Sequence, residues 1–217
     1  MNTELLTPAQ VVDFWFAADV DDAAAMDLRM QVLFTVDPAF DALVRDRCGT
    51  TVESALRGDL DTWADDARGT LALLILLDQM PRNMFRGTAR AFAGDALARV
   101  HATAGFARGF DRALAIVERV FLHLPFEHAE DLALQQRCVE GYVALHAEAP
   151  PAMRKLTAAA LQAGRDHHAL IARFGRFPHR NAVLGRPSTP DEIAWLAVNR
   201  SAWGQGADDI PRAEVSR

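Results

Sequence analysis

The chain has 217 residues, half of them hydrophobic and 24% charged, which suffices to bury one sizeable core and predicts a single domain over 1–217. A formal net charge of -6 excludes general nucleic-acid binding, which needs net or strongly clustered positive charge, but leaves room for one local cationic site. The longest apolar run, Leu71 to Leu77, is too short to cross a bilayer, so no membrane role is expected.

Thr7-Pro8 opens the first helix with a capping residue and a proline at the first helical position, and Val11, Val12, Trp15 and Phe16 form its apolar face. The acidic segment Asp19 to Asp27 reads as a solvated loop or helix face. Asp37-Pro38 repeats the start signal for a helix running to Gly49, and a short helix follows around Val52 to Leu56. Residues 70–80 are apolar, rich in leucine and poor in β-branched side chains, which predicts a central helix buried on all sides and closed by Pro81. Phe92 to Phe106 forms an amphipathic helix with Leu97, Val100 and His101 near one face. Asp111 starts the next helix, which ends before Pro125, and Asp131 caps another that stops before Pro150-Pro151.

The last long helix carries Met153, Leu156, Ala160, Gly164, His167, Ile171 and Phe174 on one stripe, then stops at Gly175. Pro178 holds Phe177 out of the helical region, and Thr189-Pro190-Asp191-Glu192 is a capping box for a final short helix. The small, polar tail from Ser201 is expected to fray. No segment alternates like a strand. The expectation is an all-α bundle or stack of antiparallel helix pairs.

Cys48 and Cys138 lie far apart with no CxxC spacing, so they read as reduced core thiols, and no basic leader precedes the first helix. Both features predict a cytoplasmic protein. The inventory for covalent catalysis is poor, since no Gly-x-Ser-x-Gly elbow or phosphate loop is present.

The most unusual stretch is Arg173-Phe174-Gly175-Arg176-Phe177-Pro178-His179-Arg180-Asn181. Together with Pro81-Arg82-Asn83 and Arg86, it supplies a cluster of guanidinium and amide groups, a set suited to bidentate recognition of an anion. Both segments follow long apolar helices, which predicts that they converge into one polar site from distant sequence. Arg82, Asn83, Arg86, Arg173, Arg176, Arg180 and Asn181 are therefore the expected ligand contacts, supported by the carboxylates Asp78, Glu130 and Asp131. The competing reading is internal, with those carboxylates pairing with the arginines to pin turns onto the core. His128 and His179 are the expected proton carriers. His167 lies on an apolar stripe and reads as a hydrogen-bonded core residue. With no HExxH and no repeated His/carboxylate pair at helical spacing, neither a metal nor a cofactor is expected.

Three blocks together resemble a bacterial family known as domain of unknown function 924. They are Leu76-Leu77-Asp78-Gln79-Met80-Pro81-Arg82-Asn83 with Arg86-Gly87-Thr88 and Asp95; Leu124-Pro125-Phe126, His128 and Glu130-Asp131; and Arg173 to Asn181 with Leu184-Gly185-Arg186. The resemblance implies an all-helical, tetratricopeptide-like array and implies no reaction. The chain departs from the family's usual pattern at His123, Glu127 and Ala129, where a tyrosine, an apolar residue and a serine are usual, so those three side chains receive no role. Two functions fit these residues. One is binding of a small anionic molecule in a polar pocket between helices, with histidine acid–base chemistry; the other is a helical scaffold for a protein or peptide partner.

Overall fold

The computed structural model describes residues 4–199, so the tail from Ser201 lies outside the described residues. The helices are α1 (Pro8–Phe16), α2 (Ala23–Phe34), α3 (Pro38–Leu56), α4 (Ala67–Leu74), α5 (Met80–Met84), α6 (Asp95–Ala107), α7 (Ile116–Glu127), α8 (Leu132–Glu148), α9 (Arg154–Phe174) and α10 (Pro190–Val198). Among the described residues there is no strand, and no helix is long and apolar enough to cross a membrane.

The helix starts follow the capping chemistry of the sequence. Thr7 accepts from the Gln10 amide while the Gln10 side chain accepts from the Thr7 amide at 2.8 Å, and Thr189 and Glu192 repeat the exchange at the head of α10. Asp37 and Asp131 cap α3 and α8. The predicted central helix is present. Leu71 through Leu77 are all at most 1% exposed, because α4 packs against α1, α6 and α7 at once. α8 and α9 form a hairpin that packs against α7, and the cavity described below lies at this junction.

Several boundaries differ from the sequence pattern: α6 starts at Asp95 and not at Phe92, and at Gly49 and Pro125 burial outweighs the local signal. α3 runs unbroken through Gly49, since Val44, Cys48 and Val52 are all fully buried on one face. Asp111 belongs to a 3-10 turn, and α7 starts only at Ile116. Pro125 sits inside α7, where Phe121, Leu122, Leu124 and Phe126 are each at most 4% exposed. Burying those four side chains, at about 1.5–3 kcal/mol apiece, exceeds the cost of about 3 kcal/mol for an interior proline. Pro81 likewise does not end its helix. Between α4 and α5 the chain makes a π turn over Ile75–Gln79, in which the Met80 N–H bonds the Ile75 carbonyl. The ladder has therefore already shifted register where Pro81 lacks an N–H. Continuing through the two prolines carries Asp78, Gln79, Glu127 and His128 to one place.

Gly94 sets how close α6 comes to that π turn. A Cβ built on Gly94 would stand 2.2 Å from the Leu77 carbonyl oxygen, so α6 starts against bare backbone and its first residue, Asp95, faces Arg82. Gly94→Ala forces α6 away from this contact. Urea unfolding should show a loss of about 1–3 kcal/mol, the usual cost of overpacking, at a helix N-cap where alanine is also less favourable than glycine. Unchanged stability would show that this approach is not tight.

Candidate functional site

Arg82 on α5 and Arg180 at the end of the 3-10 turn Pro178–Arg180 meet at the Asp95 carboxylate. Arg82 Nη1 and Nη2 donate to Asp95 Oδ1 and Oδ2 at 2.9 and 3.2 Å, and Nη1 also lies 3.2 Å from Asp78 Oδ1. Arg180 Nη1 is 3.4 Å from Asp95 Oδ2 and donates to the His128 carbonyl at 3.1 Å. Its guanidinium lies between the Phe92 and Phe177 rings, 4.6 and 4.4 Å from their centroids. The turn at 173–181 and the segment after Pro81 thus meet, through two arginines and one shared carboxylate.

His128 follows α7 directly and points its Nδ1 at Asp78, 2.8 and 2.9 Å from the two carboxylate oxygens, and the Gln79 side-chain amide also donates to Asp78. His167 on α9 donates Nδ1–H to the Ala163 carbonyl at 2.9 Å, and the same Nδ1 lies 3.1 Å from Glu127 Oε1. The His128 and His167 rings are edge to face at 5.9 Å, and Phe177 packs against both His167 and His179.

Burial sets the protonation states. It raises the Glu127 carboxyl to about 8, with the nearby Asp78 charge adding to the effect. It lowers His128, helped by Arg82 and opposed by Asp78, and it lowers His167. Burial and the Arg180 charge bring His179 down to about 3, and burial with the Arg82 charge brings Arg180 to about 10. Asp78 behaves oppositely: burial would raise it, but Arg82 and the His128 ring overcome this and hold it ionised. At neutral pH the cluster therefore contains an ionised Asp78, three neutral imidazoles and a protonated Glu127.

The other expected residues lie around this centre or apart from it. Asn83 and Arg86 clamp Asp41 of α3, at 2.8 Å from Asn83 Nδ2 and 2.8 Å from Arg86 Nε. Glu130 accepts from the Phe177 amide at 2.8 Å and pairs with Arg186. Asp131 caps α8 through the Leu134 amide, and Arg173 is exposed with its guanidinium over the neighbouring Phe174 ring. Arg176 and Asn181 converge on Glu192 and tie α10 to the end of α9. The residues that sequence reasoning left without a role are Asp95, Glu127 and Glu192. Asp95 stands in a helix first turn, Glu127 beside a proline and Glu192 in a capping box, so each had a local explanation and no local signal of its long-range partner.

A cavity of about 770 Å³ opens over the cluster. Its floor is polar, formed by Gln79, Arg82, Glu127, His128, His167 and Arg180. Its walls are apolar: Met30, Leu33 and Phe34 from α2, Leu124 from α7, and Leu156, Ala160 and Ala163 from α9. At the rim, Lys155 of α9 pairs with Asp27 of α2.

Comparison with known proteins agrees with this architecture. The sequence profile described as "Bacterial protein of unknown function (DUF924)" matches residues 11–199. The structure of a protein of unknown function from Agrobacterium tumefaciens is similar at a TM-score of 0.71 and 41% identity, over 87% of this chain and 96% of that one. No curated protein matches the chain.

The Arg176–Glu192 pair generates a pH prediction. Arg176 lowers the Glu192 carboxyl from 4.5 to about 2, so the pair stabilises the fold above about 4.5 and loses that contribution as pH falls through about 2. Arg176→Ala should lower the melting temperature at pH 7, with the difference from the parent shrinking steadily below about 4.5 and vanishing near 2. A deficit independent of pH would mean that Arg176 acts through packing alone.

Proposed function

We propose that this chain, which belongs to the bacterial DUF924 family, binds a small amphipathic acid in the cavity between α2, α7 and α9. The observation that carries the reading is the division of one cavity into an apolar wall and a donor-rich floor. An aliphatic tail would lie along Leu33, Phe34, Leu156 and Ala160. The acidic head would meet Arg180, Arg82 and the Gln79 amide.

Arg180 is the main anion contact. It is 6% exposed, and its Nε has no hydrogen-bond partner among the described residues. A buried donor without an acceptor is costly, and a ligand oxygen would relieve it. Asp78 and Asp95 offset the charges of Arg82 and Arg180, so the floor holds a head group by directed donors more than by excess charge. Of the two histidines expected to move protons, His179 is held neutral down to about 3 by burial and the Arg180 charge. His128, oriented by Asp78, is the one placed for proton exchange with a head group in the metal-free protein. A scaffold for a protein or peptide partner has less support, because the polar side chains converge in a cavity and do not line an open groove.

Calorimetric titration of octanoate, decanoate and dodecanoate into delipidated protein with chelator present should show saturable binding that tightens with chain length, by about 0.8 kcal/mol per buried methylene. Arg180→Ala should abolish it, and Ala160→Trp, which fills the apolar wall without touching the floor, should block it at an unchanged melting temperature. Absence of binding for all three acids, or binding that survives both substitutions, would refute the assignment.

A further inference from the structure

We propose that Glu127, His128 and His167 form a binding site for one divalent first-row transition-metal ion at the floor of the cavity. One donor atom from each of the three lies within 4.8 Å of the others. A bound ion with ligands at about 2.0–2.2 Å holds its donors about 3–3.5 Å apart, so small side-chain rotations close the set. All three residues line the cavity, which leaves a coordination position open to water or to an acid head group.

Three further features point to a cation here. Glu127 is a carboxyl group only 4% exposed, and its side-chain partners among the described residues are the His167 ring and the Tyr142 hydroxyl and not an arginine or lysine. Every other carboxylate of the cluster has a guanidinium: Asp78 has Arg82, Asp95 has Arg82 and Arg180, and Asp41 has Arg86. A buried carboxyl group that faces the Tyr142 hydroxyl and an imidazole, with no arginine or lysine paired to it, is a donor that a cation can take up in place of its proton.

His128 is also oriented as a ligand. His128 donates Nδ1–H to the ionised Asp78, which leaves the lone pair of that ring on Nε2, and His167 holds its Nδ1 3.1 Å from Glu127 Oε1. The carboxylate behind His128 fixes its tautomer and strengthens it as a donor. Finally, Glu127 and His128 stand at the C-terminal end of α7, where the helix dipole favours positive charge. Two imidazoles and one carboxylate suit zinc, cobalt, manganese or ferrous iron and discriminate against magnesium and calcium. With the ion bound, Nε2 of His128 is engaged, and His128 no longer serves as a proton acceptor.

The site is independent of the acid-binding reading, so it is tested without any organic ligand. Chelator-stripped full-length protein is titrated with Zn²⁺ by calorimetry and with Co²⁺ by visible absorption, in excess Mg²⁺. One equivalent should bind, with a cobalt spectrum of low coordination number and a raised melting temperature. Glu127→Gln, close to isosteric with the protonated side chain, and His167→Ala should each remove the cobalt spectrum. Asp78→Asn should weaken binding by about 10- to 100-fold, the usual effect of losing the carboxylate behind a metal-bound histidine. No saturable binding by the parent, or binding that persists in both Glu127→Gln and His167→Ala, overturns the proposal. Because the acid titration is run with chelator and this one without acid, either assignment can fail while the other stands.

Discussion

The Asp95 carboxylate, shared between Arg82 and Arg180, is the contact on which the arrangement depends. Each guanidinium is largely shut away from water and would be strongly destabilising if left unpaired. Asp78, Arg82, Asp95 and Arg180 alternate in sign, so each charge has an opposite neighbour. Satisfying that chain requires three segments far apart in sequence to arrive together. The π turn presents Asp78, the bare Gly94 backbone lets α6 bring up Asp95, and the stop at Gly175 with the following proline turn delivers Arg180. The network and the close packing around it enforce one another.

A second consequence of burial is chemical. Desolvation alone would neutralise every titratable group in the cluster, but only those without a strong opposite charge yield to it. Asp78 stays ionised because Arg82 and His128 face it, while Glu127, with no guanidinium bonded to it, moves to about 8. Two neighbouring carboxyl groups are thus placed in opposite states by the groups that face them. The same apolar walls that shift these groups separate the cavity into a greasy side and a polar floor.

Much of the site was legible in sequence, though not its division of labour. Arg82 and Arg180 stood out as arginines beside prolines after apolar helices, and they do converge. Arg176 and Asn181 belong to the same unusual stretch but point toward Glu192, because one turn of chain sends neighbouring side chains in different directions. Glu127 and His167 carried no such signal. Their pairing joins α7 to α9 across 40 residues, and no spacing within either helix announces it.

The sequence by itself determined the all-helical class, the capped helix starts and the buried α4, since capping and apolar periodicity act over a few residues and are written locally. It could not determine what the prolines would do. Pro81 and Pro125 oppose helix locally, and only the burial of Phe121, Leu124 and Phe126, or the register shift at Ile75–Gln79, decides that the helix continues. Tertiary structure alone also decided which carboxylate each arginine meets and which carboxyl is left without one. Charge pairing in a buried site is settled by three-dimensional distance and desolvation, and neither quantity is a property of neighbouring residues in the chain.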